Sequence, residues 1–318
     1  MDDRRNVERM LGLPVRRAVA VLALATFAAL TGCDDGPPSA TVGNPQPSTA
    51  RPGQHSAYPT YIALGDSYTA APGVPQTEQE TGCLRSNGNY ANLVGNQLKS
   101  DFVDVSCSGA TTVSLIGAQH TGDHVYAPQF AALSADTSLV TLGIGGNDLK
   151  LFETMVGTCG QFGLSDHNGS PCRDYMKDAG RKKKDLLVGK IDKIGVRVTS
   201  ALKGIHDRAP QATVILVGYP QLLPAKGTCR ILPLAKGDYP YVRSLAVKLN
   251  DALRTAAKKA GAGFIDMVKA SKGHDICAGQ DAWVNGVNTD LMRALAFHPF
   301  AAEQQAVADL IMKKLTVS

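Results

Sequence analysis

From Tyr58 onward, short β-branched apolar runs alternate with longer stretches whose apolar residues recur at three- and four-residue steps. No other feature constrains the fold as much. Short buried strands separated by helix-length segments are joined in parallel, through crossover helices. Strands are expected at Thr60 to Leu64, Phe102 to Ser106, Leu139 to Gly143, Thr213 to Gly218 and Gly263 to Asp266, each closed by Gly, Ser or Asp at or just past its end. One apolar stripe runs along Ile191, Ile194, Val198, Leu202 and Ile205, and another along Val242, Leu245, Leu249, Leu253 and Ala256, as amphipathic helices require. A last helix is expected from Ala301 to Leu315, after His298-Pro299, where proline suits a helix start. The class is α/β with a central parallel sheet, and 318 residues with 19% charged side chains suit one such domain.

The first 57 residues do not share this pattern. Basic residues ending at Arg16-Arg17 precede an apolar run from Ala18 to Leu30, shorter than the roughly 18 residues of a spanning helix. Residues 1–32 therefore read as a signal peptide. Leu30-Thr31-Gly32-Cys33 resembles a bacterial lipobox, which makes Cys33 the expected lipidated residue and the outer face of the cell membrane the expected location; an ordinary cleaved signal and a secreted protein are the alternative. Residues 33–57 carry that cysteine and a Gly-, Pro-, Ser- and Thr-rich linker with almost no large apolar side chain, leaving 58–318 as the folded domain. The formal charge is +5, inflated by the basic leader. It is too mild to imply a nucleic-acid partner.

Setting Cys33 aside leaves Cys83, Cys107, Cys159, Cys172, Cys229 and Cys277. An even set in an exported chain reads as disulfides, with more possible pairings than sequence can choose among. No two have the C-x₂-C spacing of a zinc site, and no metal is assigned.

In open parallel sheets the ligand sits beyond the carboxyl ends of the strands. Gly65-Asp66-Ser67-Tyr68 follows the first expected strand, Cys107-Ser108-Gly109-Ala110 the second and Gly145-Gly146-Asn147-Asp148 the third, while His298 precedes the last helix. Each alone is an ordinary turn or cap. Together they make an acyl-transfer site. A serine hydroxyl needs an adjacent base to attack a carbonyl, and imidazole can take that proton and return it to the leaving alcohol. The developing oxyanion needs fixed donors, here the backbone N–H groups of Ser67 and Gly109 and the side-chain amide of Asn147.

These motifs resemble those of the SGNH (GDSL-type) hydrolases, whose four name-giving residues would fall on Ser67, Gly109, Asn147 and His298. The likeness extends from Tyr58 to Leu315 and is greatest to disulfide-bearing secreted actinobacterial esterases and lipases, with their strand-GDSY, CSGA, IGGND and GH-x-x-C segments. It implies a flavodoxin-like three-layer α/β/α sandwich, carboxylic ester hydrolysis without cofactor or metal, and sequential disulfides Cys83–Cys107, Cys159–Cys172 and Cys229–Cys277. Many relatives carry an aspartate three residues before the histidine, where this chain has Leu295. A Ser-His dyad is therefore expected, the imidazole being oriented by the Leu295 carbonyl or, second, by Asp290. An α/β-hydrolase fold would want a G-x-S-x-G elbow, which Gly65-Asp66-Ser67-Tyr68-Thr69 does not supply.

His274 beside Cys277 reads as a loop residue, and His120 and His124, separated by Thr121-Gly122-Asp123, as loop residues rather than metal ligands. The basic run from Arg181 to Lys184 reads as a solvated face. Loops from Val113 to Phe130, Leu149 to Arg173 and Tyr219 to Tyr241 are expected to wall an apolar, adaptable cleft. The expected partners are an ester substrate, lipid or short acyl, and the membrane through the N-terminal anchor; the protein is expected to act as a monomer. Acetylated carbohydrate is the alternative substrate, and a non-catalytic lipid- or glycan-binding lipoprotein the alternative function.

Overall fold

The computed structural model describes residues 57–78, 82–180 and 184–317; the signal-peptide, Cys33 and linker assignments, and most of the Arg181–Lys184 run, fall outside them. The five expected strands are all present. They are β1 (Thr60–Gly65), β2 (Asp101–Asp104), β5 (Leu139–Gly143), β6 (Thr213–Val217) and β7 (Gly263–Ile265), in one parallel sheet of order β2-β1-β5-β6-β7. A small antiparallel hairpin, β3 (Gln119–Thr121) with β4 (His124–Tyr126), stands apart from it.

Strands β5 and β6 lie in the middle of the order with helices on both sides, so both faces are buried, as their unbroken apolar runs demand. On one face, Ile62, Leu64, Val140, Leu142, Val214 and Leu216 pack with the stripes of α5 (Leu186–Arg208) and α6 (Tyr239–Ala260). On the other, Tyr61, Ala63, Leu139, Ile215 and Val217 pack with α2 (Tyr90–Leu98) and α8 (Ala301–Val317). The result is the three-layer α/β/α sandwich. The edge strand β2 keeps its two aspartates at the ends of a half-exposed DFVD, a pattern that fits an edge rather than a core strand.

Two of the expected loops hold regular structure. Within Val113–Phe130 lies the β3–β4 hairpin, whose turn separates His120 from His124. Within Leu149–Arg173 the chain forms helical turns, α3 (Cys159–Ser165) and the start of α4 (Pro171–Asp178). Both helices are short, and the disulfide Cys159–Cys172 joins them. The other two bridges join Cys83 to Cys107 and Cys229 to Cys277.

The strand order decides where a ligand can sit. The chain leaves β1 for β2 on one side and returns to β5 on the other, so β1 and β5 flank the point where the winding reverses. In an open parallel sheet the ligand crevice falls at such a reversal, beyond the carboxyl ends of the two strands. At that point β1 ends in a clamp: the Gln129 side chain accepts from the Gly65 N–H at 2.8 Å and donates to the Gly65 carbonyl at 2.9 Å. Only glycine fits. Its φ is +155°, and a Cβ would lie 2.2 Å from the Thr69 hydroxyl and 2.7 Å from the Gly143 carbonyl. Gly65→Ala is expected to lower unfolding free energy by about 2–4 kcal/mol, measured by denaturant titration, because the Gly143 carbonyl is fixed backbone and both Thr69 Oγ1 and Cβ stand in the way.

Candidate active site

Directly after β1, Asp66 caps the single-turn helix α1 (Ser67–Ala70), its carboxylate accepting from the Tyr68 N–H at 2.9 Å. Ser67 is thereby held at the first helical position, 6% exposed, with an N–H that has no acceptor inside the helix. The carboxyl of Asp66 also accepts from the Tyr219 hydroxyl, and that hydroxyl accepts from the Gly146 N–H at 2.7 Å. One phenol oxygen thus ties the Ser67 turn to the loop after β5. The Tyr219 ring packs edge-on against Tyr68 and Phe152, with centroids 5.1 and 4.8 Å away.

The loop after β5 carries Asn147, whose side-chain amide donates to the Ala110 carbonyl at 3.1 Å. Asn147 and Gly109 are therefore brought side by side. Gly109 has φ +77°, a left-handed conformation that suits glycine, and among the described residues its N–H has no backbone partner. The Cys83–Cys107 bridge and the Ser108 N–H donating to the Cys83 carbonyl at 3.0 Å fix the chain ahead of it. Behind it, the fully buried carboxylate of Asp148 accepts from the Thr112 N–H at 2.8 Å and from the Thr112 hydroxyl, and pairs with Arg197 at 3.1 Å. Asp148 thus fastens the segment after Gly109 to the segment of Asn147.

His298 reaches the same place from the far end of the chain, on a loop tethered to the Ser67 turn. The Leu295 N–H donates to the Pro72 carbonyl at 3.0 Å, and the Tyr68 hydroxyl to the Phe297 carbonyl at 2.7 Å. The Tyr68 ring lies 5.8 Å from the imidazole, centroid to centroid. Phe297 takes φ +62°, a conformation a bulky residue adopts only under constraint. Its N–H donates to the Gly286 carbonyl, and the His298 carbonyl accepts from the Asn285 N–H. The imidazole Nδ1 lies 2.8 Å from the Ala296 carbonyl.

That contact corrects the expectation for Leu295. Its carbonyl is occupied by the His298 N–H at 3.1 Å and the Asn285 amide at 3.2 Å, and the left-handed Phe297 turns the chain so that the next carbonyl, of Ala296, faces the ring. Asp290 is engaged on the exposed turn, its carboxylate capping the Met292 N–H at 3.0 Å, and the ring's hydrogen bond goes to Ala296. Burial pushes the imidazole below its ordinary value of 6.5, against the smaller opposing pull of the Ala296 carbonyl. His274 lies elsewhere, stacked on Trp283 with its Nδ1 2.7 Å from the Asp281 carbonyl.

Sequence reading missed Tyr219, Gln129 and Gln304. Tyr219 sits just past β6, at a strand end like the other site residues, and that position was the available signal. Gln304 is fully buried on α8, accepting from the Tyr90 N–H at 2.8 Å and donating to the Tyr68 carbonyl at 3.1 Å and to Glu303 at 2.7 Å. It locks the helix after His298 onto the turn of Ser67.

Two carboxyls here are buried at a cost. Burial raises Asp66 to about 7 despite the Tyr219 hydrogen bond, and Glu303 to about 8 despite Gln304. Both bind their proton more tightly when folded, so their contribution to stability is fully present below the unfolded values near 4 and is lost as pH rises through about 7 and 8. Thermal unfolding is expected to show the melting temperature falling across that window, with Glu303→Gln removing its upper part. Tyr219→Phe strands the Asp66 carboxyl and the Gly146 N–H; an unfolding loss of about 2–4 kcal/mol is expected, with the pH-dependent fall displaced upward.

Comparison with known proteins agrees with this geometry. The model of the GDSL-like Lipase/Acylhydrolase family matches residues 63–306. Lipase 2 of Streptomyces coelicolor is 41% identical over 241 residues, covering 72% of this chain and 77% of the lipase, and Lipase 1 of the same organism is 31% identical over 285 residues, covering 89% and 91%. The crystal structure of phospholipase A1 from Streptomyces albidoflavus NA297 superposes with a TM-score of 0.63 at 26% identity, covering 81% of this chain and 99% of that one. The extracellular lipase of Streptomyces rimosus, 24% identical, shares the fold with a TM-score of 0.65 over 80% of this chain and 98% of its own. The chain belongs to the GDSL-like lipase/acylhydrolase family and is an SGNH-class serine ester hydrolase.

Proposed function

We propose that the protein hydrolyses carboxylic esters through a Ser67–His298 dyad, with the N–H groups of Ser67 and Gly109 and the Asn147 amide as its oxyanion hole. The observation that carries this reading is the convergence of the three segments at the β1/β5 crevice, with the imidazole Nδ1 held by a backbone carbonyl. That hydrogen bond fixes the tautomer with the proton on Nδ1, leaving Nε2 as the base. Nε2 takes the Ser67 proton as Oγ attacks the ester carbonyl; the tetrahedral oxyanion collapses with expulsion of the alcohol, which receives the proton from the imidazolium. Water, activated by the same nitrogen, then releases the acid and regenerates Ser67. A carbonyl dipole in place of a carboxylate stabilises the imidazolium less but holds the ring equally well.

The substrate is read as a lipid or short-chain acyl ester. Phe152 and Tyr219 pack around Tyr68 beside the nucleophile, giving the site an aromatic flank suited to apolar acyl groups. The leader and Cys33 support export and attachment to the outer face of the membrane as a lipoprotein, with the domain working as a monomer; secretion without an anchor is the alternative.

A fluorophosphonate probe is expected to label folded wild-type protein and to leave Ser67→Ala unlabelled; a folded wild-type protein that takes no label would mark the chain as a binder. Because burial lowers the His298 pKa and only neutral imidazole accepts the proton, the acidic limb of kcat/KM is expected below pH 6.5, read from a pH–rate profile on a soluble ester.

A further inference from the structure

The loop that delivers His298 carries a feature that the chemistry does not use. An Asp290–Ala294 bridge closes a tight turn whose tip residues, Leu291 and Met292, are 60% and 76% exposed. The turn is rigid in the sense of hydrogen bonding: the Asp290 and Ala294 backbones bond reciprocally at 3.0 and 2.8 Å, and the Asp290 carboxylate accepts from the Met292 N–H. The Asn285 amide donates to the carbonyls of Asn288, Ala294 and Leu295, so the turn is fixed to the residues that seat His298. At the foot of the same loop, the Val287 N–H donates to the Ile231 carbonyl at 2.9 Å, bringing together two more exposed apolar side chains.

Two arginines adjoin these residues in the chain, and the carboxylate of Asp290 is engaged within the turn. Arg230 adjoins Ile231, and Arg293 adjoins Met292 with its guanidinium 4.6 Å from the Phe300 ring. Exposed leucine and methionine at the tip of a fixed turn, flanked by arginines, are what an anionic lipid surface recognises: the apolar tips enter the acyl boundary and the cations meet the headgroups. We infer that the Asp290–Ala294 turn, together with Ile231 and Val287, docks the domain on an anionic lipid bilayer and so presents the His298 side of the catalytic crevice to that surface. This rests on the ester-hydrolase reading for its purpose, but not for its test.

The test uses the mature chain, residues 33–318 with Cys33→Ala, so that neither the apolar leader nor an acyl anchor contributes, and sedimentation with vesicles of phosphatidylglycerol and phosphatidylcholine or of phosphatidylcholine alone. The parent is expected to partition onto the anionic vesicles, and Leu291→Asp/Met292→Asp to lose about tenfold or more of that partition. Arg230→Gln/Arg293→Gln is expected to reduce binding to anionic vesicles selectively, and added salt to reproduce the effect in the parent. Hydrolysis of a water-soluble acetate ester is expected to be unchanged in every variant, which certifies fold and site; Leu291→Ser/Met292→Ser serves as the milder pair if the aspartates disturb the turn. Undiminished vesicle binding by both tip variants, absence of binding by the parent, or a dimer that dissolves in the tip variants while vesicles remain unbound would overturn the inference, the last by assigning the patch to a second copy of the chain. Loss of soluble ester hydrolysis in the parent would instead overturn the catalytic reading and leave the vesicle result standing.

Discussion

At the catalytic end of the sheet, the arrangement depends on the buried hydrogen bond from the Tyr219 hydroxyl to the Asp66 carboxyl. The phenol oxygen also accepts from Gly146, and the carboxyl also accepts from Tyr68, so the chain of bonds runs from the loop of Asn147 to the turn of Ser67 without a break. Linked bonds of this kind polarise one another in a low-dielectric interior and fix geometry more tightly than separate contacts would. The distance between the proposed nucleophile on one strand end and the proposed amide donor on the next is thereby set before any substrate arrives. Preorganisation of that sort is where much of the rate of such sites comes from.

The proposed base is held by different means. Among the described residues no carboxylate is hydrogen-bonded to the His298 ring; the left-handed Phe297 turns the backbone so that the Ala296 carbonyl faces Nδ1. That conformation is unfavourable for phenylalanine and persists because neighbouring bonds over-determine it: Tyr68 on its carbonyl, Gly286 on its N–H, and Asn285 on His298. Tyr68 therefore serves both halves of the proposed dyad, following Ser67 in sequence and clasping the loop of His298 in space. Burial favours the neutral imidazole, the form that can accept a proton.

The same burial is destabilising at Asp66 and Glu303, whose carboxyls favour the protonated form in the folded state up to about pH 7 and 8. Apolar residues in their places would remove the cost of burying the carboxyls but would leave the Tyr219 hydroxyl, the Tyr68 N–H and the Gln304 amide without these acceptors. The three disulfides, one of which anchors the chain before Gly109, help the fold carry this load.

Local rules applied to the sequence located the five strands and the long helices and put Ser67, Gly109 and Asn147 past strand ends and His298 ahead of the last helix, because strand and helix periods, turn glycines and strand-end motifs are written in neighbouring positions. The β3–β4 hairpin and the short helices α3 and α4 escaped, being brief and lacking a clear apolar period. The disulfide pairs followed from resemblance, not from spacing. Only the tertiary structure decided which carbonyl meets His298, that Tyr219 joins Asp66 to Gly146, and that Gln304 bonds Tyr68. Asp66 and Tyr219 are 153 positions apart, and Tyr68 and Gln304 are 236. Partners so distant are chosen by strand order and by which helix covers which face, and no local pattern of apolar and polar residues encodes that choice.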